Sequence, residues 1–355
     1  MTILSILFAI LIFSFLIFIH ELGHFVAAKL SGVQVNEFAL FMGPAIFKKQ
    51  KGETLYSLRT IPIGGYCAME GEDEDSDNPR SFQKAAWWKR LIILLAGAFM
   101  NFVAGLLLLL IVYLPAEQFT VPVIDYAEPG CTVVSEEGLH LGDRILEIDG
   151  EKIYISSDFS LLLTLKGGTT HDIVVERGGQ VVTLNDFEME MHEFPNDDGT
   201  TSMRYGFRFG AEDATLGNTL VFVWDSAKYI VRSVRLSLQM LLTGKMGLQD
   251  MSGPVGIVQV MTNTAAASED LLSAVLNMLY FGGFIAINLA VMNLLPIPAL
   301  DGGRAVALLV TTGIEKITKK KINPKYEGYI HGAFMVLLLG LMAVILLKDV
   351  IFLFK

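Results

Sequence analysis

The composition of this 355-residue chain excludes an ordinary soluble enzyme. Hydrophobic residues make up 52% of the sequence and charged residues only 18%, a balance typical of a protein that crosses a membrane several times. The formal net charge of −10 argues against nucleic acid as a partner. We therefore expect a polytopic α-helical membrane protein.

Four segments are apolar over the roughly 20 residues that a helix needs to cross a bilayer. They cover about residues 2–25, 91–114, 278–300 and 332–354. The first has no basic residue before its apolar run and no small-residue cleavage site after it. We therefore expect a retained membrane helix and not a signal peptide.

The charges between these segments predict the orientation in the membrane. Residues 25–90 carry nine Lys and Arg and residues 301–330 carry six, whereas residues 115–277 carry ten Lys and Arg against 24 Asp and Glu. Because basic loops stay in the cytoplasm, both basic loops are expected inside. The acidic middle segment and both termini are then expected outside.

The first apolar segment ends in His20-Glu21-Leu22-Gly23-His24. Residues four apart on a helix share a face, so both imidazoles point the same way. Two imidazoles supply two of the three ligands of a catalytic zinc site, and the adjacent Glu21 can act as its general base. A polar cap on a membrane helix is the alternative interpretation. The metal site is favoured because such groups are costly in hydrocarbon unless they have a function.

A third ligand is expected from the far end of the chain. The third apolar segment ends in Asn-Leu-Leu-Pro-Ile-Pro-Ala-Leu-Asp at residues 293–301, where two prolines break the helix. The first and third segments run in the same direction, so Asp301 is expected at the depth of His20 and His24. Three other residues could supply this ligand but lack the helix break and the depth: Glu70, Glu72 and His331.

The stretch between the first two membrane segments predicts β structure. Residues 31–70 contain short alternating or β-branched pieces separated by Gly and Pro turns, which indicates a small cytoplasmic sheet against the membrane. Its edge is expected either to hold an extended substrate or to be purely structural.

The acidic run at residues 72–75 is typical of a solvated loop. In the second membrane segment Gly97 and Asn101 form a GxxxN pattern, and Asn101 serves either a packing hydrogen bond or the substrate.

The acidic middle segment has the features of a peptide-binding module. Its core is Gly-Asp-Arg-Ile-Leu-Glu-Ile-Asp-Gly at residues 142–150, and over residues 119–190 the segment resembles a PDZ domain of the bacterial protease-associated type. A helix is expected at Ser157–Lys166, a hairpin about Gly178-Gly179, and one more hairpin at 199–210. Such domains bind peptides as an added strand, and exclusion of bulky substrates by size is the alternative.

The remaining segments complete the expected organisation. Residues 216–242 predict a long amphipathic helix that lies either along the outer membrane surface or on the soluble domain. The first part of the chain is expected to contain a membrane helix with the histidines at 1–30, a cytoplasmic sheet at 31–70, a cytoplasmic loop at 71–90 and a membrane helix at 91–114. The rest divides into a PDZ domain with an extra hairpin at 119–212, an amphipathic helix at 213–250, a segment returning to the membrane at 251–277, a membrane helix with a broken end at 278–303, a cytoplasmic loop at 304–331 and a membrane helix at 332–354.

Taken together, these motifs resemble the site-2 protease family of intramembrane metalloproteases, in particular its bacterial RseP-like branch. The resemblance covers the whole chain, and its motifs are HELGH at 20–24, Ile-Pro-Ile-Gly-Gly-Tyr at 61–66, GxxxN at 97–101, the PDZ insert, and NLLPIPALDGG at 293–303. Two departures stand out. The second membrane segment reads Ala-Gly-Ala-Phe-Met-Asn at residues 96–101, where relatives commonly have Gly-Pro. One PDZ domain is evident, where some members carry two.

The resemblance implies a zinc endopeptidase with one Zn²⁺ per chain, held by His20, His24 and Asp301, and with Glu21 as the base. It also implies a set of residues that shape the substrate site: Gly64, Gly65, Asn101, Asn288, Asn293, Pro296 and Pro298. The implied substrates are single-pass membrane proteins, such as anti-sigma factors, or signal-peptide remnants. They would be shortened first by a site-1-type protease at the bacterial cytoplasmic membrane. A catalytically silent PDZ scaffold and a metal transporter are the alternatives.

Overall fold

The computed structural model describes residues 2–72, 76–196, 199–247, 249–319 and 324–353. Asp73, Glu74 and Asp75 of the predicted acidic loop lie outside these ranges, as do residues 320–323 of the predicted last loop. The helices are α1 Thr2–Ser31, α2 Trp87–Tyr113, α3 Ser156–Lys166, α4 Leu216–Leu242, α5 Pro254–Ala267, α6 Leu271–Asn293, α7 Asp301–Thr318 and α8 Pro324–Leu353. The strands are β1 Val35–Lys51, β2 Thr54–Met69, β3 Gln118–Ala127, β4 Arg144–Ile148, β5 Glu151–Lys152, β6 Thr170–Arg177, β7 Gln180–Glu188, β8 His192–Pro195, β9 Thr201–Arg204 and β10 Phe207–Asp213.

Four helices within the described ranges are long and apolar enough to cross a membrane, namely α1, α2, α6 and α8. The third of them begins earlier than the sequence predicted, at Leu271, because the Asp270 carboxylate caps the helix by accepting a hydrogen bond from the Ser273 amide. It ends at Asn293, ahead of Pro296. The chain divides into two compact units, residues 1–112 with 240–355, and residues 113–239.

Residues 301–318 form helix α7, whereas the sequence predicted a cytoplasmic loop from residue 304. The helix forms because Ala305 and Leu308, three residues apart, bury one face of it in the same apolar cluster as Ala28 of α1 and Ile93 of α2. Of its two basic residues, Arg304 pairs with Glu72 and Lys316 is exposed. Helix α5 likewise occupies part of the predicted returning segment and starts with Pro254 in its first turn.

The first unit contains the predicted small sheet as one long bent hairpin of β1 and β2. The first half of β1 pairs with both halves of β2, so that Phe38 lies opposite Cys67 and opposite Tyr56. The hairpin therefore forms four short strand segments with several irregularities of register. Residues 61–69 form one edge, and among the described residues their strand neighbour is β1 alone.

The second unit is an antiparallel sheet in the order β10-β3-β4-β6-β7, with β5 beside β4 and with a separate β8-β9 hairpin. Its core contains fully buried side chains from the sheet and from α3, including Ile124, Ile145, Leu162 and Ile173. The predicted helix at 157–166 is confirmed as α3, and the hairpin about Gly178-Gly179 is confirmed by the pairing of Arg177 with Gln180.

The prediction of one hairpin at 199–210 was wrong. Strand β9 pairs with the preceding strand β8 in antiparallel fashion, with Phe194 opposite Ser202. Strand β10 pairs instead with β3, at the start of the unit. The two strands were predicted to pair with each other because they are adjacent in sequence. The longer partner β3 lies far away in sequence and takes β10 into the main sheet.

Helix α4 packs on the sheet unit, which is one of its two predicted positions. Its Arg232 side chain is buried against Asp158, at 3.1 Å between Nη1 and Oδ1, and also donates to the Lys152 carbonyl. Asp158 is fully buried, and this burial raises the pKa of its carboxyl. The arginine therefore neutralises a carboxylate that would be costly to bury alone.

Candidate metal centre

His20, His24 and Asp301 meet at one point of the first unit. The His20 Nε2 and His24 Nε2 atoms lie 3.2 and 3.3 Å from the same carboxylate oxygen, Asp301 Oδ2, and 3.3 Å from each other. Within the described ranges these three residues form the group of His, Cys, Asp and Glu side chains that could hold a metal ion. The chain thus brings together two residues near its beginning and one near its end.

The three atoms have the spacing of ligands around one zinc ion. Zinc binds imidazole nitrogen and carboxylate oxygen at about 2.0–2.1 Å, and at the tetrahedral angle such ligands lie about 3.3 Å apart. Among the described residues, Asp301 Oδ2 is also a buried oxygen atom that accepts no hydrogen bond. Because a buried carboxylate oxygen is costly without a positive partner, the site fits a divalent cation.

Two glycines allow α2 to lie directly against the histidines. A Cβ atom added at Gly97 would lie 2.3 Å from His24 Nε2 and 2.8 Å from His20 Cε1. A Cβ atom added at Gly23, between the two histidines, would lie 2.4 Å from the Ala96 carbonyl oxygen. Gly97 was predicted to allow a close helix approach, and the groups that approach it are the imidazoles themselves.

The second nitrogen of each imidazole is held by α2. His24 Nδ1 lies 2.8 Å from the Ile93 carbonyl oxygen and donates to it, which leaves Nε2 with a free lone pair. His20 Nδ1 lies 3.3 Å from the side-chain amide of Asn101, a residue that is 1% exposed. The Asn101 Oδ1 atom is buried and has no hydrogen-bond partner within the described ranges. With this oxygen turned toward Nδ1, Asn101 accepts the His20 proton and presents Nε2 to the centre.

The turn between α6 and α7 fixes the position of Asp301. The turn folds back onto the first residues of α7 so closely that a Cβ atom at Gly302 would lie 2.4 Å from the Leu294 carbonyl oxygen. At Gly303 it would lie 2.1 Å from the Ile297 carbonyl oxygen. The two glycines after Asp301 therefore exist for close backbone packing.

The three alternative third ligands are bound elsewhere. Glu70 accepts hydrogen bonds from Asn36 and Ser76. Glu72 forms an ion pair with Arg304, at 2.6 Å between Oε1 and Nη1. His331 Nδ1 lies 2.8 Å from the Ala299 backbone nitrogen.

The sequence was also compared with those of known proteins. Peptidase family M50 matches residues 8–341. The chain belongs to this family, that of the site-2 proteases. It is therefore a peptidase, and its four candidate spans make it a membrane protein.

Similarity to M50 relatives extends over nearly the full length of both chains. A candidate zinc metalloprotease of Clostridium perfringens is 35% identical over 98% of this chain and 98% of its own length. A candidate zinc metalloprotease of Fusobacterium nucleatum is 33% identical, again over 98% of each chain. The zinc metalloprotease RasP of Oceanobacillus iheyensis is 28% identical over 96% of this chain and 97% of its own length.

In this M50 chain, Glu21 lies against the edge of the hairpin. A Cβ atom added at Gly65 would lie 3.1 Å from Glu21 Cγ and 3.0 Å from the Ala39 carbonyl oxygen. Gly64 has φ +70°, a backbone conformation that favours glycine. The Gly64-Gly65 pair therefore lets strand β2 pass directly over Glu21.

The other predicted substrate residues lie on and after α6. The Asn288 side chain donates to the Phe284 carbonyl one turn earlier, at 3.0 Å. Asn293 is the last residue of α6, and in the turn that follows Pro298 is half-buried and Pro296 is exposed. The hydrogen bond of Asn288 is thus made within its own helix.

Two charged residues near the end of α8, Lys348 and Asp349, were not predicted to have a role. The Asp349 side chain is buried and accepts a hydrogen bond from the Gly256 amide in the first turn of α5, at 2.9 Å. The neighbouring Lys348 donates to the Met251 carbonyl. An adjacent acid and base inside an apolar span was the available signal, because such charges are retained there only with partners.

Proposed function

We propose that this M50 peptidase is a zinc endopeptidase that cleaves single-pass membrane proteins within the bilayer, near its cytoplasmic face. The observation that carries the proposal is the triangle of His20 Nε2, His24 Nε2 and Asp301 Oδ2, with sides of 3.2 to 3.3 Å. It lies at the end of a candidate membrane span. Relatives over the full chain carry the name zinc metalloprotease, which supports zinc as the cofactor.

In this proposal His20, His24 and Asp301 hold one Zn²⁺, and Glu21 is the general base. A bound zinc supplies Lewis-acid activation of water and of the peptide carbonyl. Glu21 takes the proton from the attacking water and passes it to the leaving amine. Asn101 and the Ile93 carbonyl keep the imidazoles in the tautomer that can bind metal.

We propose that the substrate binds as an extended strand along residues 61–69. The carbonyl of a helical peptide is already hydrogen-bonded, so a membrane helix must unwind before it is cut. The edge of β2 offers replacement hydrogen bonds, and Gly65 brings that edge within contact distance of Glu21. Asn288, Asn293, Pro296 and Pro298 are proposed to shape the opposite side of the substrate site.

The unit of residues 113–239 is proposed to be an extracytoplasmic PDZ domain that limits which substrates enter. In its Gly-Asp motif Gly142 is exposed, whereas Asp143 is buried and forms an ion pair with Arg177 at 2.7 Å. Substrates of this class are anti-sigma-type regulators or signal-peptide remnants, already shortened by a site-1-type protease. In the bacterial cytoplasmic membrane this orientation leaves both termini outside, as the charge distribution favours.

The test is a zinc measurement combined with a cleavage assay of the purified full chain and of its Glu21→Gln variant. Both proteins are expected to hold about one zinc per chain, because Glu21 is not a ligand. Cleavage of a model membrane helix is expected in the wild type and lost in the variant. Undiminished cleavage by the variant would remove Glu21 from its role, and metal flux without cleavage would favour a transporter.

A further inference from the structure

The last membrane helix contacts the turn that precedes Asp301. The Ala299 backbone N–H of this turn lies 2.8 Å from Nδ1 of His331, near the start of α8. A backbone N–H can only donate, so Nδ1 is the acceptor and the imidazole carries its proton on Nε2. This contact therefore requires one tautomer of a neutral histidine.

Ala299 has a backbone conformation that needs support from its surroundings. Its φ is +79°, in the left-handed region that residues with a Cβ rarely adopt. A non-glycine residue persists there only when neighbouring groups determine its position. Ala299 lies two residues before Asp301, so a rotation of its peptide would displace the carboxylate.

Within the turn, other backbone groups pair with each other. Ile297 N–H donates to the Leu295 carbonyl, and Leu300 N–H donates to the Ile297 carbonyl. The acceptor for Ala299 comes instead from α8. A backbone N–H at membrane depth is costly without an acceptor, which gives this single bond a large effect on the turn.

We propose that His331 is a positioning residue for the metal centre. By accepting the Ala299 N–H, it holds the turn in its left-handed conformation and so keeps Asp301 at the distance from His20 and His24 that a shared ion requires. The inference rests on the proposed zinc site for its effect on metal binding. The hydrogen bond itself is independent of zinc.

Three variants of the full chain test this role. His331→Asn keeps an acceptor, because Asn Oδ1 is as far along the side chain as His Nδ1. His331→Leu keeps bulk but has no acceptor. The double variant His331→Leu with Ala299→Gly removes the acceptor but also removes the cost of the positive φ.

Two readouts separate this proposal from the proposed function. Hydrogen exchange of the peptide containing Ala299 is expected to accelerate in His331→Leu and to remain near wild type in His331→Asn. Zinc affinity, measured by competition with a chelator, is expected to fall by about tenfold to a hundredfold in His331→Leu, as for other groups that orient metal ligands. In the double variant it is expected to return toward the wild-type value.

The contrary results are equally defined. Unchanged exchange at Ala299 in His331→Leu would overturn the proposal whether or not the protein binds zinc. A His331→Asn variant that behaves like His331→Leu would also overturn it, because the acceptor would then not be the relevant feature. A wild-type protein without stoichiometric zinc would instead contradict the proposed function, while the exchange measurement would still decide the role of His331.

Discussion

At the scale of single residues, the candidate metal centre depends on three glycines as well as on its ligands. Gly97 leaves the space in which His20 and His24 stand, and Gly302 and Gly303 leave the space into which the preceding turn folds. At each of these glycines, a Cβ atom would lie less than 2.5 Å from another group.

Replacing Gly97 by alanine is therefore expected to damage zinc binding. The new methyl group would lie 2.3 Å from His24 Nε2, so either the histidine or α2 must move. We expect zinc affinity to fall by about tenfold to a hundredfold, measured by competition with a chelator. Gly340→Ala is the control, because a Cβ atom there would have no described atom within 4 Å. Equal losses in both variants would contradict this account of Gly97.

Asn101 gives a second test at this scale. Asn101→Leu removes the acceptor for His20 Nδ1 and is expected to weaken zinc binding by about tenfold or more. Asn101→Asp keeps a carboxylate acceptor there and is expected to retain the metal. A variant Asn101→Leu with normal zinc affinity but a raised KM would instead support the substrate role that the sequence resemblance implied.

At the scale of elements, the β1-β2 hairpin is attached to the end of α1. The Lys29 ammonium lies 2.6 Å from Glu53 Oε1 in the hairpin turn, and Arg80 binds the same carboxylate. The hydrogen bonds from Arg80 and Lys29 lower the pKa of Glu53 from 4.5 to about 2. This attachment holds the hairpin, and with it the proposed substrate edge, against the helix that carries the histidines.

The stability of this attachment is expected to depend on pH and to fall in acid. Because the pKa of Glu53 is lower in the folded state than its ordinary value of 4.5, its contribution is present above about pH 4.5 and lost as the pH falls toward 2. Hydrogen-exchange protection factors in the hairpin turn should fall over that range in the wild type. In Glu53→Gln they should be lower at neutral pH and should not change further. A wild-type turn with constant protection down to pH 2 would be inconsistent with this ion pair.

Local periodicity was sufficient to predict much of this structure, but contacts between elements were not. The shared face of His20 and His24 follows from helix geometry, and the pairing of Asp301 with them follows from the direction of two membrane spans. The contact of Asn101 with His20, and that of His331 with Ala299, depend on the rotation of neighbouring helices, which no pattern within one helix encodes. Helix α7 and strand β10 were misjudged for a related reason, since distant partners determine both.

At the scale of the whole molecule, the family match covers all three residues of the candidate metal centre. The M50 match runs from residue 8 to residue 341 and so includes His20, His24 and Asp301. The last helix has polar attachments near both of its ends, at His331 to the turn before Asp301 and at Asp349 to the start of α5. A helix held at these two points connects the turn before Asp301 to the start of α5.

The attachment at Asp349 can be tested without reference to catalysis. Asp349→Leu removes the acceptor for the Gly256 amide, so hydrogen exchange in residues 253–257 is expected to accelerate. Asp349→Asn keeps an amide oxygen and is expected to retain most of the protection. Equal exchange in wild type and Asp349→Leu would show that α8 does not cap α5.

X-ray absorption spectroscopy at the zinc edge, on the wild type and on Asp301→Ala, tests directly whether His20, His24 and Asp301 share one ion. For the wild type we expect two imidazole nitrogens and a carboxylate oxygen at about 2.0–2.1 Å from one zinc per chain. For the variant we expect loss of the metal or of one protein ligand. Zinc retained in Asp301→Ala with an unchanged ligand shell would show instead that the three residues do not share one ion.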